Sequence, residues 1–108
     1  MANTFKLKTK ANVGVTTTAV YVAPGSTTTV VIGITASNIS GNNINVGIGI
    51  TRAAADDIHL MKNVPIPQGS SFEFMAGNKI VLETTDTITA KSDVASSLDV
   101  ALTIMEIT

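Results

Sequence analysis

The chain of 108 residues is the size of one domain, its net charge is −1, and only 14% of its residues are charged. Such a balance excludes the broad basic surface that nucleic-acid binding requires, so we expect no nucleic-acid partner. The absence of cysteine excludes disulfides, zinc–thiolate sites and cysteine nucleophiles. No apolar run reaches the roughly 18 residues of a membrane helix, and the N-terminal segment lacks the apolar core of a signal peptide. We therefore expect synthesis in the cytoplasm and no membrane association.

The first predicted strand covers residues 4–10, where apolar and basic side chains alternate. Phe5 and Leu7 lie on one side of it, and three lysines lie on the other. A row of lysines can contact phosphate groups, but it is more often the solvated side of a strand. We interpret residues 1–12 as an N-terminal strand or arm and residues 13–108 as a single domain. The three lysines are Lys6, Lys8 and Lys10.

Residues 11–51 contain no Asp, Glu, Lys, Arg or His. Their hydrophobic pattern has a period of two, which is typical of strands. Gly33, Gly47 and Gly49 fall inside these strands, where glycine marks either a bend or the close approach of another backbone. Both meanings remain open at this point. The pattern predicts strands over residues 18–23, 27–38 and 44–52, with turns at 24–26 and 40–43.

The remainder of the chain continues the same alternation. Pro65 and Pro67 lack a backbone donor, so residues 64–70 are an extended segment and a turn rather than a central strand. Further strands are predicted over residues 57–62, 71–75, 79–83, 86–92 and 98–107, with a loop at 52–57 and a turn at 76–78. The fold class is therefore all-β, an antiparallel β-sandwich of eight or nine short strands with jelly-roll or Greek-key connections.

No constellation of residues predicts catalysis. His59 is the single histidine, it alternates away from Ile58 and Leu60, and a lone surface histidine is usually structural. Asp56 and Asp57 are adjacent, but a calcium site needs several further oxygen ligands. We expect no enzyme activity, no cofactor, no metal and no small-molecule substrate.

The aromatic side chains are too few to suggest a sugar-binding platform. The chain has three Phe, one Tyr and no Trp. Of these, Tyr21 is the one expected to be exposed. A carbohydrate-binding or adhesion module is therefore a weak alternative.

The uncharged segment predicts a contact surface. A long apolar strand without charges is an aggregation hazard when its edge is exposed. Interface cores are depleted in charge, so we expect part of residues 11–51 to lie in a subunit or partner contact, with a homotrimer as the expected oligomer. The candidate contact residues are Phe5, Lys6, Lys8, Lys10, Tyr21, Asn45, Gly47 and Gly49.

A set of turn and core residues, spread over the chain from about residue 15, forms a pattern. The set comprises Tyr21 with Pro24, Asn38, residues 65–69, and Leu82-Glu83 leading to Asp86, Thr87 and Ile88. This pattern resembles that of small virion structural proteins of tailed bacteriophages, especially marine and cyanobacterial phages. Members of that family often carry glycine where this chain has Thr85, a departure that concerns the turn alone.

The resemblance implies a module that decorates capsids or occurs in necks, tails and fibres, and it implies no catalytic residues. The expected function is that of a capsid decoration (cement) protein, located in the virion and bound to the shell of the major capsid protein. The lysine strand would then contact an acidic shell. A neck, tail or fibre accessory protein of the virion is the alternative.

Overall fold

A computed structural model describes residues 3–52, 56–74 and 79–108. These residues form nine strands and no helix, and so no helix that could span a membrane. The predicted turn at 76–78 and part of the predicted loop at 52–57 lie outside them. The strands are β1 (Asn3–Val13), β2 (Thr18–Val22), β3 (Thr28–Asn38), β4 (Ile44–Thr51), β5 (Ile58–Ile66), β6 (Ser71–Phe74), β7 (Ile80–Leu82), β8 (Thr87–Ser92) and β9 (Leu98–Ile107).

The strands form two antiparallel sheets packed as a sandwich. Sheet A has the order β1-β9-β3-β6, and β7 pairs with the other half of the same edge of β3. Sheet B has the order β2-β8-β4-β5. Most connections pass from one sheet to the other, and in the described residues β4 and β5 alone are neighbours both in sequence and in a sheet. The predicted antiparallel β-sandwich is confirmed.

The core lies between the sheets and follows the period-two pattern where the strands are regular. On β4 the four apolar positions predicted to share a side are all buried, and so are the four on β9. The alternation of these two central strands is therefore confirmed. Their buried residues are Ile44, Val46, Ile48 and Ile50 on β4, and Leu98, Val100, Leu102 and Ile104 on β9.

Bulges reverse the predicted sides on β2. The register between β2 and β8 shifts between Ala19 and Tyr21, so β2 contains one extra residue. An extra residue moves every later side chain to the opposite face. Tyr21 therefore pairs with Ile88 on the core side and is 6% exposed, whereas Val22 is exposed. The prediction that Tyr21 is exposed is wrong for this reason.

The edge strand β5 carries two such shifts against β4. Asn63 has a φ of 53° at the first of them. As a result Met61 enters the core, while Leu60 is half-buried and Ile58 stays exposed. Pro65 lies on this strand opposite Asn45, which agrees with the prediction that the proline segment does not form a central strand.

Candidate functional site

The apolar side of β1 points out of the sandwich. Lys6 pairs with the fully buried Ile104 of β9, and directly paired residues share a face. The lysine side of β1 is therefore the inner side, at the open edge of the sandwich. Phe5 and Leu7 lie on the outer side, where their side chains are 70% and 66% exposed. The predicted alternation is confirmed, but the apolar side is exposed as well as the lysine side, where Lys6 and Lys10 are exposed.

Phe5 belongs to a line of apolar side chains that crosses sheet A, which we call the apolar row. Phe5 pairs with Met105, Met105 with Val30, and Val30 with Val81. Met105 and Val30 are half-buried, and Val81 is 59% exposed. The four residues come from β1, β9, β3 and β7. They give the outer face of sheet A a continuous apolar band that no part of the described chain covers.

The same face has a depression further along the strands, which we call the hollow. Its volume is about 290 Å³, and its lining on β9 runs from Asp99 to Ala101. Thr9 of β1 and Thr35 of β3 pair with Ala101 from either side, and Ser37 also lines it. The hollow exists because Ala101 has a short side chain between two longer ones.

A larger depression, of about 420 Å³, lies on the outer face of sheet B. The hollow on sheet A is thus the smaller of the two, and it shares its three strands with the apolar row.

Charges are sparse on the outer face of sheet A. Among its described strand positions, the charged residues are Glu73 and Asp99. Glu73 lies on the edge strand β6, opposite Thr35. Asp99 lies near the far end of β9, where its carboxylate accepts a hydrogen bond from the backbone N–H of Asn12 at 3.0 Å. The half of the face around the apolar row therefore presents apolar and hydroxyl groups without an ion.

A buried hydrogen-bond network fixes β1 from the inner side. The Tyr21 hydroxyl of sheet B donates to Oε2 of Glu106 in sheet A at 2.6 Å, and it lies 2.8 Å from the Thr29 hydroxyl. Lys6 Nζ lies 2.8 Å from Oε1 of the same carboxylate. We call these four residues the tyrosine network. It ties the two sheets to each other and to the edge strand.

The network shifts the pKa values of Tyr21 and of the Glu106 carboxyl. Burial, followed by the hydrogen bond to Glu106, raises the pKa of Tyr21 to about 12. The hydrogen bond from Lys6, followed by the one from Tyr21, lowers the pKa of Glu106. Glu106 is therefore a buried anion at neutral pH, and Tyr21 is a neutral donor to it. The role of the tyrosine network is structural, because it sets which side of β1 faces outward.

Asn45, Gly47 and Gly49 lie on the opposite surface, the outer face of sheet B. They line the groove of about 420 Å³, together with Lys62 and Lys91. We call it the glycine groove.

The two glycines of the groove differ in what surrounds them. A Cβ on Gly49 would lie 2.8 Å from the carbonyl oxygen of Ile58, so this position needs glycine because the bulged strand β5 passes close to it. A Cβ on Gly47 would meet its nearest neighbour, the Met61 carbonyl oxygen, at an ordinary 3.5 Å. Gly49 therefore marks the close approach of another backbone and not a bend.

The predicted contact residues thus fall into four separate places. Phe5 lies on the outer face of sheet A, and the lysines lie along the inner edge of β1. Tyr21 is in the core and cannot serve as a contact or as an aromatic platform for sugars. The members in the glycine groove are Asn45, Gly47 and Gly49.

Sequence reasoning missed part of the outer face of sheet A. Leu7 alternates with Phe5, so it could have been found from the same pattern. Val81 and Met105 could not, because their position in the apolar row depends on which strands pair. Ala101 could not have been found from the sequence either, because a small residue in a strand does not by itself predict a depression.

In the ranges that the structure describes, no group of three or more His, Asp or Glu side chains could hold a metal ion. His59 is exposed on β5 and lines the glycine groove.

No protein-family model matches the chain, and no curated protein matches it. Among solved structures, one from work titled "Bacillus endospore appendages form a novel family of disulfide-linked pili" is similar in fold. The TM-score is 0.60 at 14% sequence identity, over 99% of this chain and 87% of that one. At this identity the likeness concerns the fold alone.

Proposed function

We propose that this chain is a non-enzymatic structural subunit of a tailed-bacteriophage virion, a capsid decoration (cement) protein that binds the outer shell and stabilises it. The observation that carries the proposal is the outer face of sheet A, with its uncovered apolar row and its scarcity of charge. A surface of this composition matches the core of a protein–protein interface, where charged residues are depleted. The resemblance to phage virion proteins supplies the kind of assembly.

In this proposal the two sides of strand β1 make different contacts. Its outer side offers Phe5 and Leu7, and its inner edge offers lysines. Lys6 is bound to Glu106, but Lys8 and Lys10 make no ion pair within the described chain. These two lysines supply the contact to an acidic shell. Charges at the rim of an interface mainly speed association and make it sensitive to salt.

The test is binding to purified shells by a variant in which two lysines are replaced by neutral residues. Lys8→Gln with Lys10→Gln is expected to weaken binding and to reduce its salt dependence. Lys62→Gln with Lys91→Gln, in the glycine groove, removes the same charge from the other face and is the matched control. Equal effects of the two pairs would contradict the lysine contact, and the absence of the chain from particles would overturn the proposal. Deleting residues 1–10 is a poorer test, because it removes most of β1 from its pairing with β9.

A neck, tail or fibre position in the virion is distinguished by copy number. A decoration protein occurs in numbers comparable with the major capsid protein, whereas a neck or tail accessory occurs in few copies. Quantitative mass spectrometry of purified virions separates the two.

A filament subunit is the second candidate, and the fold likeness to the structure from the pilus work favours it. The chain has no cysteine, so a filament of it would be held by non-covalent contacts rather than by disulfides. Electron microscopy of the concentrated chain tests this candidate, and filaments that form without a shell would support it.

A further inference from the structure

Two features of the outer face of sheet A have matching shapes. Phe5 and Leu7 project from the face, and the hollow around Ala101 has a volume of about 290 Å³. A cavity on the order of 150 Å³ accommodates a benzene ring, so the hollow is large enough for the side chain of a phenylalanine. A projection and a depression on one face allow that face to fit a copy of itself.

The projection and the hollow are equally far from a common centre. On β1, Leu7 is two residues from Phe5 and two residues from Thr9. Thr9 pairs with Ala101, and both residues line the hollow. Two residues of a strand span about 7 Å, so Phe5 and the β1 side of the hollow, at Thr9, lie at about that distance on opposite sides of Leu7.

We infer that two copies of this chain pair face to face through the outer face of sheet A, about a twofold axis that lies across the strands above Leu7. The axis lays β1 of each copy over β1 of the other, so Phe5 of each copy lies opposite Thr9 of the other, at the β1 side of the hollow. It also places Leu7 of each copy next to Leu7 of the other. Such an interface is isologous, because each contact occurs twice. The facing sheets pack about 10 Å apart, as in a β-sandwich.

The charged residues of the face do not meet like charges in this pairing. Asp99 and Lys10 line the hollow, and the Asp99 carboxylate accepts a hydrogen bond from the Asn12 N–H. Asp99 lies four residues from Thr103, the residue that pairs with Leu7 at the axis. The axis therefore separates the two copies of Asp99 by about 27 Å along the strands, since each residue spans about 3.4 Å. Glu73 lies on an edge strand, so it falls at the rim, where a carboxylate can remain hydrated. No like charges are brought together in the centre.

The size of the face also suits a second copy. Strands of 11 residues span about 37 Å and four strands about 19 Å, which gives a projected area of about 700 Å². A stable interface of ordinary size buries about 600–1,000 Å² on each partner. The face is therefore large enough for a specific pair, without a contribution from sheet B.

This inference rests on the proposed function only in taking the outer face of sheet A as a contact surface. It leaves the lysine edge and the glycine groove available for other partners. The inference predicts a dimer in place of the homotrimer expected from the sequence, and the dimer and the trimer differ in mass.

The first experiment measures the mass of the chain in solution by analytical ultracentrifugation over a range of concentrations. We expect twice the chain mass of 11.1 kDa. Phe5→Asp is expected to return the chain to its single mass, because it places a carboxylate at the edge of the other copy's hollow, which Asp99 already lines. Phe5 is exposed in the single chain, so the substitution leaves the core intact, and the free energy of unfolding at low concentration checks this. Val22→Asp, at an exposed apolar residue of sheet B, is the matched control and should leave the pair unchanged.

The second experiment fixes the orientation with single cysteines, which the chain otherwise lacks. A disulfide needs Cα atoms about 5–6 Å apart, less than the spacing of packed sheets, so a short bifunctional thiol reagent is used. Leu7→Cys should crosslink to itself. Phe5→Cys should crosslink to Thr9→Cys in a mixture of the two variants, but not to itself. Val22→Cys should not crosslink.

A chain that stays at its single mass at high concentration would overturn the inference, and so would a trimer, or a pair that persists in Phe5→Asp. These outcomes are separate from those of the shell-binding test. If the chain binds shells without pairing, the inference fails and the proposed function stands. If it pairs but binds no particle, the reverse holds.

Discussion

Tyr21 allows the tyrosine network to be measured directly, because it is the single tyrosine of a chain without tryptophan. Its hydroxyl is buried against the Glu106 carboxylate, and burial with this hydrogen bond raises its pKa to about 12 from the usual 10.0. The ultraviolet absorbance of tyrosinate therefore reports one site. In the folded chain we expect the transition near pH 12, and in the unfolded chain near pH 10.

The same shift predicts how stability depends on alkaline pH. The folded-state pKa of Tyr21 is raised, so its contribution to stability is fully present below pH 10 and is lost as pH rises through 12. A rise in pKa of this size corresponds to a loss of a few kcal/mol at most. As pH rises from 10 to 12, the free energy of unfolding measured in urea should therefore fall more for the wild type than for Tyr21→Phe. The comparison cancels the contribution of the lysines, which both proteins share.

Glu106→Gln separates the two causes of the shift. The variant removes the negative charge but keeps the burial, which is the larger cause, so the pKa of Tyr21 should fall yet stay above 10. At acid pH the sign is opposite. The pKa of Glu106 is lowered from 4.5, so its contribution is present above that value and is lost as pH falls through the lowered pKa, a loss that the variant lacks. A folded wild type that titrates near pH 10 would refute the burial of Tyr21, and an unchanged alkaline transition in Glu106→Gln would refute the role of the carboxylate.

Two further predictions concern the backbone. Gly49→Ala should destabilise the fold by about 1–3 kcal/mol, because its Cβ would lie 2.8 Å from the Ile58 carbonyl oxygen. Gly47→Ala on the same strand meets only an ordinary contact and should change little, and equal urea midpoints for the two variants would contradict this account. Thr85 has a φ of 69°, which is strained for a β-branched residue. Thr85→Gly should therefore stabilise the fold by about 0.5–1 kcal/mol, and a lower melting temperature would show that the strain is not real.

The positions of the strands could be predicted from the sequence, but the faces of some could not. The period of two placed β9 over residues 98–107, as the structure has it, and placed the other strands to within a few residues. On β2 and β5 an extra residue reverses the alternation, and nothing in the composition of "TAVYV" or "IHLMKNVPI" marks where it is inserted. Tyr21 was assigned to the surface for this reason.

The candidate site was predictable only in part, because it is built from strands far apart in sequence. Phe5 was found from the alternation of β1. The apolar row and the hollow depend on the pairing of β1, β9 and β3, which the pattern of single strands does not contain. Alternation defines two sides of a strand, and the pairing decides which of them faces the core.

The tyrosine network fixes the orientation of β1, and that orientation decides which side chains of β1 lie on the outer face. A slip of β1 by one residue would turn Phe5 and Leu7 inward, and full burial of such side chains gains about 1.5–3 kcal/mol each, which is an upper limit here because the inner edge leaves Lys6 43% exposed. The same slip would take Lys6 away from Glu106. A buried carboxylate that loses a charged partner costs about 3–5 kcal/mol, which is comparable with the gain. The network therefore holds two apolar side chains in water in the single chain, and covering them in the proposed pair recovers the free energy that the slip would have gained.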